Sequence, residues 1–304
     1  MERRGFIKRL GLGAAAVSAA STLSLPAFAK GKVAAAPFKL DFAPHFGMFK
    51  QHAPGGLVDE LRFMADQGFR SLEDNGLLKR PLAEQELIGK TLDQLGMRMG
   101  VFVVDGGDNW KVSLTTGKQE FLDNFVATCK ASVEAAKRVN AKWMTVVPGY
   151  FERNLPIGVQ TGHVIDALKR GAEIFEPHGM AMVLEPLSDN PDLFLRHADQ
   201  TYMICRAVGS PACKLLYDAY HMQRNEGNLI ATMEKTWSEI AYIQIGDNPG
   251  RKEPGTGEIN YANVFQFIHK KGFTGILGME HGNALPGKEG ELALIDAYRK
   301  VDVK

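Results

Sequence analysis

Cysteine is scarce in this chain of 304 residues. The three that occur, Cys129, Cys205 and Cys213, form no C-x-x-C pair, which predicts three ordinary buried thiols and no disulfide framework. Hydrophobic residues make up 45% of the chain and charged residues 23%. This is the composition of a globular protein with enough apolar material for a sizeable core.

A strong net charge and a long basic segment are also lacking. The formal net charge is +1, and no dense run of Lys and Arg follows the first ten residues. Proteins that bind nucleic-acid phosphates need such a basic patch. We therefore expect no nucleic-acid partner.

Long uninterrupted hydrophobic runs are missing, even near the N-terminus. The adjacent pair Arg3 and Arg4 precedes a mildly apolar run over Leu10 to Ala20, and Ala27-Phe28-Ala29 supplies small residues for a cleavage site. Glycines interrupt the run, which disfavours a membrane span. Residues 1–29 resemble a twin-arginine signal, so we expect a periplasmic or otherwise exported protein that uses the twin-arginine machinery. An uncleaved amphipathic anchor is the alternative.

Residues 30–37 form a linker of small residues, and residues 38–304 alternate short apolar runs with longer amphipathic stretches. This alternation predicts an α/β fold, a single (β/α)8 TIM barrel. The eight predicted strands are Lys39–Ala43, Phe69–Glu73, Arg98–Val104, Trp143–Val147, Ala181–Glu185, Lys214–Asp218, Ala241–Ile245 and Gly275–Glu280. The predicted helices are Gly56–Gln67, Leu82–Leu95, Lys118–Val139, Val164–Glu176, Ala198–Val208, Ile230–Lys235, Ala262–Lys271 and Glu289–Arg299. The sequence leaves the oligomeric state open, and a homo-oligomer is one arrangement that it allows.

Four consecutive strands in the second half of the chain finish on a polar side chain. Glu185, Asp218, Gln244 and Glu280 stand at or beside these strand ends. A single acidic residue there is usually a helix cap, but the strand ends of a closed barrel converge on one mouth. Three carboxylates brought together would repel one another unless a cation joined them. An oxygen-only ligand set favours Mg²⁺ or Mn²⁺.

Three segments resemble hydroxypyruvate isomerases of the xylose isomerase-like barrel superfamily. They are Leu184-Glu185-Pro186-Leu187, Tyr217-Asp218-Ala219-Tyr220-His221-Met222-Gln223, and the stretch from Gln244 to Tyr261. The resemblance implies that Glu185 and Glu280 are an acid/base pair as well as metal ligands. It also implies that His221 binds and polarises the substrate.

Arg251 lies in the long loop after Gln244. A carboxylate of the substrate needs a positive partner in a low-dielectric pocket, so we assign Arg251 to substrate binding. A solvent-exposed loop arginine is the alternative. Glu73 and His45 follow earlier strands and point to the same rim by topology alone.

One position and one loop depart from related enzymes. Pro191 stands where ketose 3-epimerases carry a further Glu, and residues 103–110 differ from the Asn-Leu-Pro-Ala-Gly type of loop of hydroxypyruvate isomerases.

The predicted function is metal-dependent isomerisation through an enediolate, from hydroxypyruvate to 2-hydroxy-3-oxopropanoate. The substrate would be a small hydroxy-oxo acid or a sugar. A sugar or cyclitol epimerase is the alternative enzyme, and a periplasmic carbohydrate-binding barrel is the non-enzymatic alternative. An endonuclease IV-type nuclease would need a histidine-rich multi-zinc cluster, which the eight histidines do not indicate.

Overall fold

Nine short strands and nine α-helices build the part of the chain that a computed structural model describes, residues 35–304. The predicted export signal and residues 30–34 of the predicted linker lie outside it. The strands are β1 (Asp41–Ala43), β2 (Ser71–Leu72), β3 (Arg98–Met99), β4 (Phe102–Val103), β5 (Trp143–Val146), β6 (Ala181–Leu184), β7 (Cys213–Asp218), β8 (Ile240–Gln244) and β9 (Ile276–Gly278). The helices are α1 (Leu57–Asp66), α2 (Leu82–Leu95), α3 (Gln119–Val139), α4 (Ile157–Phe175), α5 (Ala198–Val208), α6 (Ala219–Asn225), α7 (Leu229–Thr236), α8 (Tyr261–Lys270) and α9 (Gly287–Val301).

The strands are parallel and close into a ring. The main sheet has the order β1-β9-β8-β7-β6-β5-β4, and β2 pairs with β3 beside it. A parallel bridge between His45 and Glu73 joins the β1 side to the β2 side. The predicted α/β fold, a (β/α)8 TIM barrel, is confirmed.

The third predicted strand, Arg98–Val104, is broken into β3 and β4. The break lies at Gly100 and Val101, where the Gly100 amide donates to the Leu72 carbonyl at 2.7 Å. A Cβ on Gly100 would lie 2.4 Å from the Tyr242 hydroxyl oxygen. The absence of a side chain at Gly100 therefore leaves room for the Tyr242 side chain of β8 inside the barrel.

Side chains that point into the barrel form a small apolar layer of their own. This layer contains Ala43, Val101, Val183, Leu216, Tyr242 and Ile276. Because side chains alternate along a strand, the next inward position is two residues later. The layer therefore places Glu185, Asp218, Gln244 and Gly278 directly above it, towards the carboxyl ends of the strands.

Most helices match their predicted positions, with two differences. Helix α4 begins at Ile157, seven residues before the predicted start and directly after Pro156 at its N-cap. Helix α6 was not predicted, since it follows β7 without a loop. The Asp218 side chain accepts hydrogen bonds from the Tyr220 and His221 amides and starts this helix. No helix within residues 35–304 is long and apolar enough to cross a membrane.

Candidate active site

The four residues predicted as metal ligands lie together at the carboxyl ends of consecutive strands. Asp218 and Gln244 are the last residues of β7 and β8, Glu185 follows β6, and Glu280 comes two residues after β9. Asp218 and Gln244 are fully buried, and Glu185 is 6% exposed. The side chain of Glu280 is a quarter exposed and faces the cavity.

His221 joins the three carboxylates at this point. One ligand atom from each of Glu185, Asp218, His221 and Glu280 can be chosen so that all of them lie within 4.8 Å of one another. The His221 Nε2 atom is 3.5 Å from Asp218 Oδ2 and 3.8 Å from Glu185 Oε1. The structure thus brings the proposed substrate-binding histidine to the centre of the cluster.

The amide of Gln244 has a defined direction. Its Nε2 donates to Glu73 Oε1 at 2.8 Å, while its Oε1 is buried and has no hydrogen-bond partner among the described residues. The Tyr242 hydroxyl donates to Glu73 Oε2 at 2.9 Å. Glu73, placed at this rim by topology alone, therefore reaches the site through Gln244.

Burial and mutual repulsion raise the pKa of these carboxyl groups. Burial, followed by the nearby charges of Glu280 and Asp218, raises the pKa of Glu185 well above its usual range. Burial likewise raises the pKa of Glu280, although Arg251 opposes the shift. Burial raises the pKa of Glu73 to about 7, against hydrogen bonds from Gln244 and Tyr242. The positive charge of Arg251 therefore does not offset the burial and mutual repulsion of these carboxyl groups.

Arg251 supplies the cation that the structure places against the cluster. Its Nη2 lies 2.9 Å from Glu280 Oε2 and 3.3 Å from Asp218 Oδ2, and its Nε donates to the Glu280 carbonyl at 3.1 Å. Burial alone would lower the pKa of this guanidinium, but Glu280, Asp218 and Glu185 raise it above its usual value.

Backbone conformation directs Arg251 inward. The residue has a φ of 50°, and its amide donates to the Asp247 carbonyl at 2.7 Å in a tight turn. The Asp247 side chain anchors the following loop by accepting hydrogen bonds from the amides of Gly255, Gly257 and Ile259. The alternative of a solvent-exposed loop arginine is wrong, since the side chain is only 28% exposed.

The His221 ring lies between Ser188 and Arg251. Its Nδ1 is 2.8 Å from Ser188 Oγ and 3.2 Å from the Ser188 amide nitrogen, and its Nε2 is 3.1 Å from Arg251 Nη2. Burial lowers the pKa of His221, with Asp218 opposing the shift. The neutral ring has one donor and one acceptor nitrogen, so it can exchange hydrogen bonds with these neighbours and with a group bound in the site.

The cluster opens into a cavity of about 330 Å³. Thr145 and Asn75 line it, and each has a buried oxygen without a hydrogen-bond partner among the described residues. Asn75 also donates to Glu280 Oε1 at 3.0 Å. Lys79 and Trp110 line the cavity too, and the indole of Trp110 is half exposed.

Sequence reasoning missed Thr145, Asn75 and Ser188. Thr145 lies two residues before the predicted end of its strand, so only the alternation of side chains along the strand could have indicated it. His45 takes no part in the site. Its ring nitrogens lie 2.9 Å and 3.1 Å from the backbone oxygens of Phe46 and His281.

The residues fit a hard divalent cation. Glu185 Oε1 and Gln244 Oε1 are buried oxygens without partners within residues 35–304, and buried polar atoms of this kind normally find one. Three carboxylates and one guanidinium leave two negative charges, which one divalent ion would neutralise. Glu185, Asp218, Gln244 and Glu280 would hold it, since carboxylate and amide oxygens suit Mg²⁺ or Mn²⁺.

Comparison with known proteins identifies the family of this barrel. Residues 61–300 match the model of the xylose isomerase-like TIM barrel family. The chain belongs to this family. Within it, the chain is 30% identical to the hydroxypyruvate isomerase of Escherichia coli over 194 residues, which cover 62% of the chain and 72% of that relative. It is 27% identical to the 2-oxo-tetronate isomerase of Cupriavidus necator over 241 residues, which cover 77% of the chain and 89% of that relative.

Solved structures of other proteins show the same fold. A family 2 AP endonuclease from Brucella melitensis superposes with a TM-score of 0.74 at 23% identity, covering 85% of this chain and 99% of that one. The 3-keto-D-glucoside 4-epimerase of Escherichia coli gives a TM-score of 0.71 at 19% identity, covering 86% and 99%. At such low identity these likenesses establish the architecture and leave the chemistry to the site residues.

Proposed function

We propose that this protein is a metal-dependent isomerase that moves a proton between adjacent carbons of a hydroxy-oxo acid. The supporting observation is that Glu185 and Glu280, which follow β6 and β9, line one cavity with His221 and Arg251, and that Arg251 contacts both Asp218 and Glu280. The curated relatives are a hydroxypyruvate isomerase and a 2-oxo-tetronate isomerase, which supports the same class of reaction. Binding alone would not require two facing carboxylates, which disfavours a carbohydrate-binding barrel.

The two carboxylates have complementary roles. One removes the proton from C3 of hydroxypyruvate to give an enediolate, and the other returns a proton at C2. The hydroxyl proton moves from O3 to O2, so the product is 2-hydroxy-3-oxopropanoate. Bound Mg²⁺ or Mn²⁺ would polarise the substrate carbonyl as a Lewis acid.

His221 and Arg251 bind the substrate in this proposal. The Nε2 atom of His221 is directed at the centre of the site. Once Arg251 has moved to the substrate carboxylate, the ring can donate from Nε2 to a substrate oxygen and stabilise developing negative charge. Arg251 pairs with the substrate carboxylate once a metal ion shares its present partners. The guanidinium suits this role because it presents two parallel donors to a carboxylate.

The size and polar lining of the cavity favour a second candidate function, isomerisation or epimerisation of a substrate with a longer hydroxylated carbon chain. At roughly 30 Å³ per water molecule, the cavity holds on the order of ten water-sized groups, more than a three-carbon acid presents. Thr145 Oγ1 and Asn75 Oδ1 offer additional hydrogen bonds. The variant Thr145→Val keeps the shape and removes the hydroxyl. It should raise the KM of a four-carbon 2-oxo acid or a ketose and leave that of hydroxypyruvate unchanged if Thr145 binds a distal hydroxyl.

Metal binding is tested by calorimetric titration of chelator-treated protein with Mn²⁺ and Mg²⁺. We expect one site, and a melting temperature that rises with metal because the ion binds only the folded state. The double variant Asp218→Asn/Glu280→Gln should lose the site. Equal binding by that variant would refute the ligand assignment.

Proton transfer is tested in deuterated water. Glu185→Gln and Glu280→Gln should each lower turnover by about two to four orders of magnitude and reduce deuterium incorporation next to the carbonyl. Glu289→Gln, which changes an exposed glutamate on α9, is the matched control. Exchange at the wild-type rate in either active-site variant would exclude the two-carboxylate mechanism. Tight sugar binding without exchange in the wild type would favour the carbohydrate-binding alternative.

We also propose that residues 1–29 direct export to the periplasm by the twin-arginine machinery. The arginine pair and the interrupted apolar run support this assignment.

A further inference from the structure

The carboxamide of Gln244 can serve a metal ion only if its oxygen, and not its nitrogen, faces the site. An amide has a donor end and an acceptor end of nearly the same shape. A rotation of 180° would present two N–H groups to the ion and abolish the ligand. Some feature of the protein must therefore fix its direction.

Glu73 provides that feature. Its Oε1 accepts from Gln244 Nε2 at 2.8 Å, and its Oε2 accepts from the Tyr242 hydroxyl at 2.9 Å. Glu73, Tyr242 and Gln244 are all at most 1% exposed. A flipped amide would turn its oxygen towards the Glu73 carboxylate, and in this buried setting two acceptors would repel each other. The Nε2 end of the Gln244 amide therefore stays paired with Glu73, and its Oε1 is directed at the cluster.

Two glycines make this arrangement sterically possible. A Cβ on Gly278 would lie 1.7 Å from Glu73 Oε2, and a Cβ on Gly100 would lie 2.4 Å from the Tyr242 hydroxyl oxygen. Any side chain at Gly278 would therefore displace the Glu73 carboxylate. Without side chains at Gly278 and Gly100, the barrel interior has room for the Glu73 carboxylate and the Tyr242 hydroxyl.

We propose that Glu73 is a positioning residue that orients the Gln244 carboxamide towards the metal ion, and that Gly278 keeps the space for its carboxylate. Glu73 does not touch the ion or the substrate in this proposal. The inference rests on the proposed metal site, which it deepens by naming what fixes one of its ligands. Hydrogen-bond partners behind a metal ligand typically contribute 10- to 100-fold to metal affinity.

The test measures the dissociation constant of Mn²⁺ by calorimetry at one pH, on variants whose folding is first checked by circular dichroism. Glu73→Leu removes both acceptors at similar volume, and Gly278→Ala displaces the carboxylate without changing its chemistry. We expect each to raise the Kd of Mn²⁺ by about 10- to 100-fold. Glu73→Gln keeps the volume and one acceptor, but its own amide can turn its donor end towards the Gln244 oxygen, so it fixes the direction of Gln244 only in part. Its Kd should lie between those of wild type and Glu73→Leu.

Gly158→Ala is the matched control, because a Cβ there meets no atom within 4 Å. It should leave the Kd unchanged. A merely structural role for Glu73 would lower the melting temperature of the Glu73→Leu protein without moving its Kd, and that result would overturn the proposal. A wild-type Kd in both Glu73→Leu and Gly278→Ala would overturn it too, since the Gln244 amide would then keep its direction without the carboxylate. If the wild type bound no Mn²⁺, the metal site itself would fail, and this inference with it. If Gly278→Ala fails to fold, the two Glu73 variants decide the question.

Discussion

Replacing Arg251 by alanine should weaken the metal-free protein and strengthen metal binding at the same time. The Arg251 guanidinium lies 2.9 Å from Glu280 and 3.3 Å from Asp218. It is the cation in contact with these two carboxylates, and a metal ion must share or displace its contacts. Removing it leaves the carboxylates without that partner until a metal binds.

The size of the effect follows from the burial of this ion pair. Breaking a fully buried pair destabilises a protein by about 3–5 kcal/mol, and since the Arg251 side chain is 28% exposed, about 2 kcal/mol is expected for this partly screened one. With roughly 2–4 °C per kcal/mol for a domain of this size, the metal-free variant should melt about 4–8 °C lower. In the variant, metal binding no longer has to disrupt the Arg251 ion pair. The metal affinity should therefore rise by about thirtyfold, since 1.4 kcal/mol corresponds to a factor of ten.

The assay combines thermal melting with and without saturating Mn²⁺ and calorimetric titration. Arg224→Ala is the matched control. Arg224 packs over the same Tyr220 ring as Arg251, at 5.4 Å against 4.9 Å, but its guanidinium donates to the Tyr220 hydroxyl. The gap in melting temperature between wild type and Arg251→Ala should shrink in Mn²⁺. A metal affinity that falls in Arg251→Ala would refute the reasoning. In turnover assays the same variant should raise the KM of an anionic substrate more than that of a neutral sugar.

Two further predictions concern stability and the N-terminus. Burial lowers the pKa of His281 from 6.5 to about 3, so the native state stays neutral where the unfolded chain takes up a proton. Its stabilising effect is present above pH 6.5 and is lost as the pH falls towards 3, by up to about 1.4 kcal/mol per pH unit. Urea unfolding at pH 7 and pH 5 should show a smaller loss for His281→Gln, and an equal loss would contradict this assignment. A chain that begins at Lys30 should be soluble and melt cooperatively, because the run Leu10 to Ala20 has no amphipathic period that would join the barrel core. Loss of the thermal transition in that chain would count against the export signal.

The local sequence determined the alternation of strands and helices and the positions of the ligand-bearing strand ends. Apolar runs bounded by turn residues predict buried parallel strands, because such strands are covered on both faces. The residues that end the helices could also be predicted from the local sequence. Gly96 and Asn140 end α2 and α3 in the left-handed conformation, which these residue types adopt most readily. Since strand ends converge in any closed barrel, four polar ends on consecutive strands sufficed to predict one site.

The tertiary structure alone decided which other side chains complete that site. Glu73 reaches Gln244 over 171 positions of sequence, and it can do so only because Gly278 is opposite. Arg251 turns onto Glu280 because the turn at Asp247 sets its backbone. The Tyr242 hydroxyl of β8 fits because Gly100, on a distant strand, has no side chain. Such contacts depend on which side chains the closed barrel brings face to face, and local pattern carries no information about distant partners.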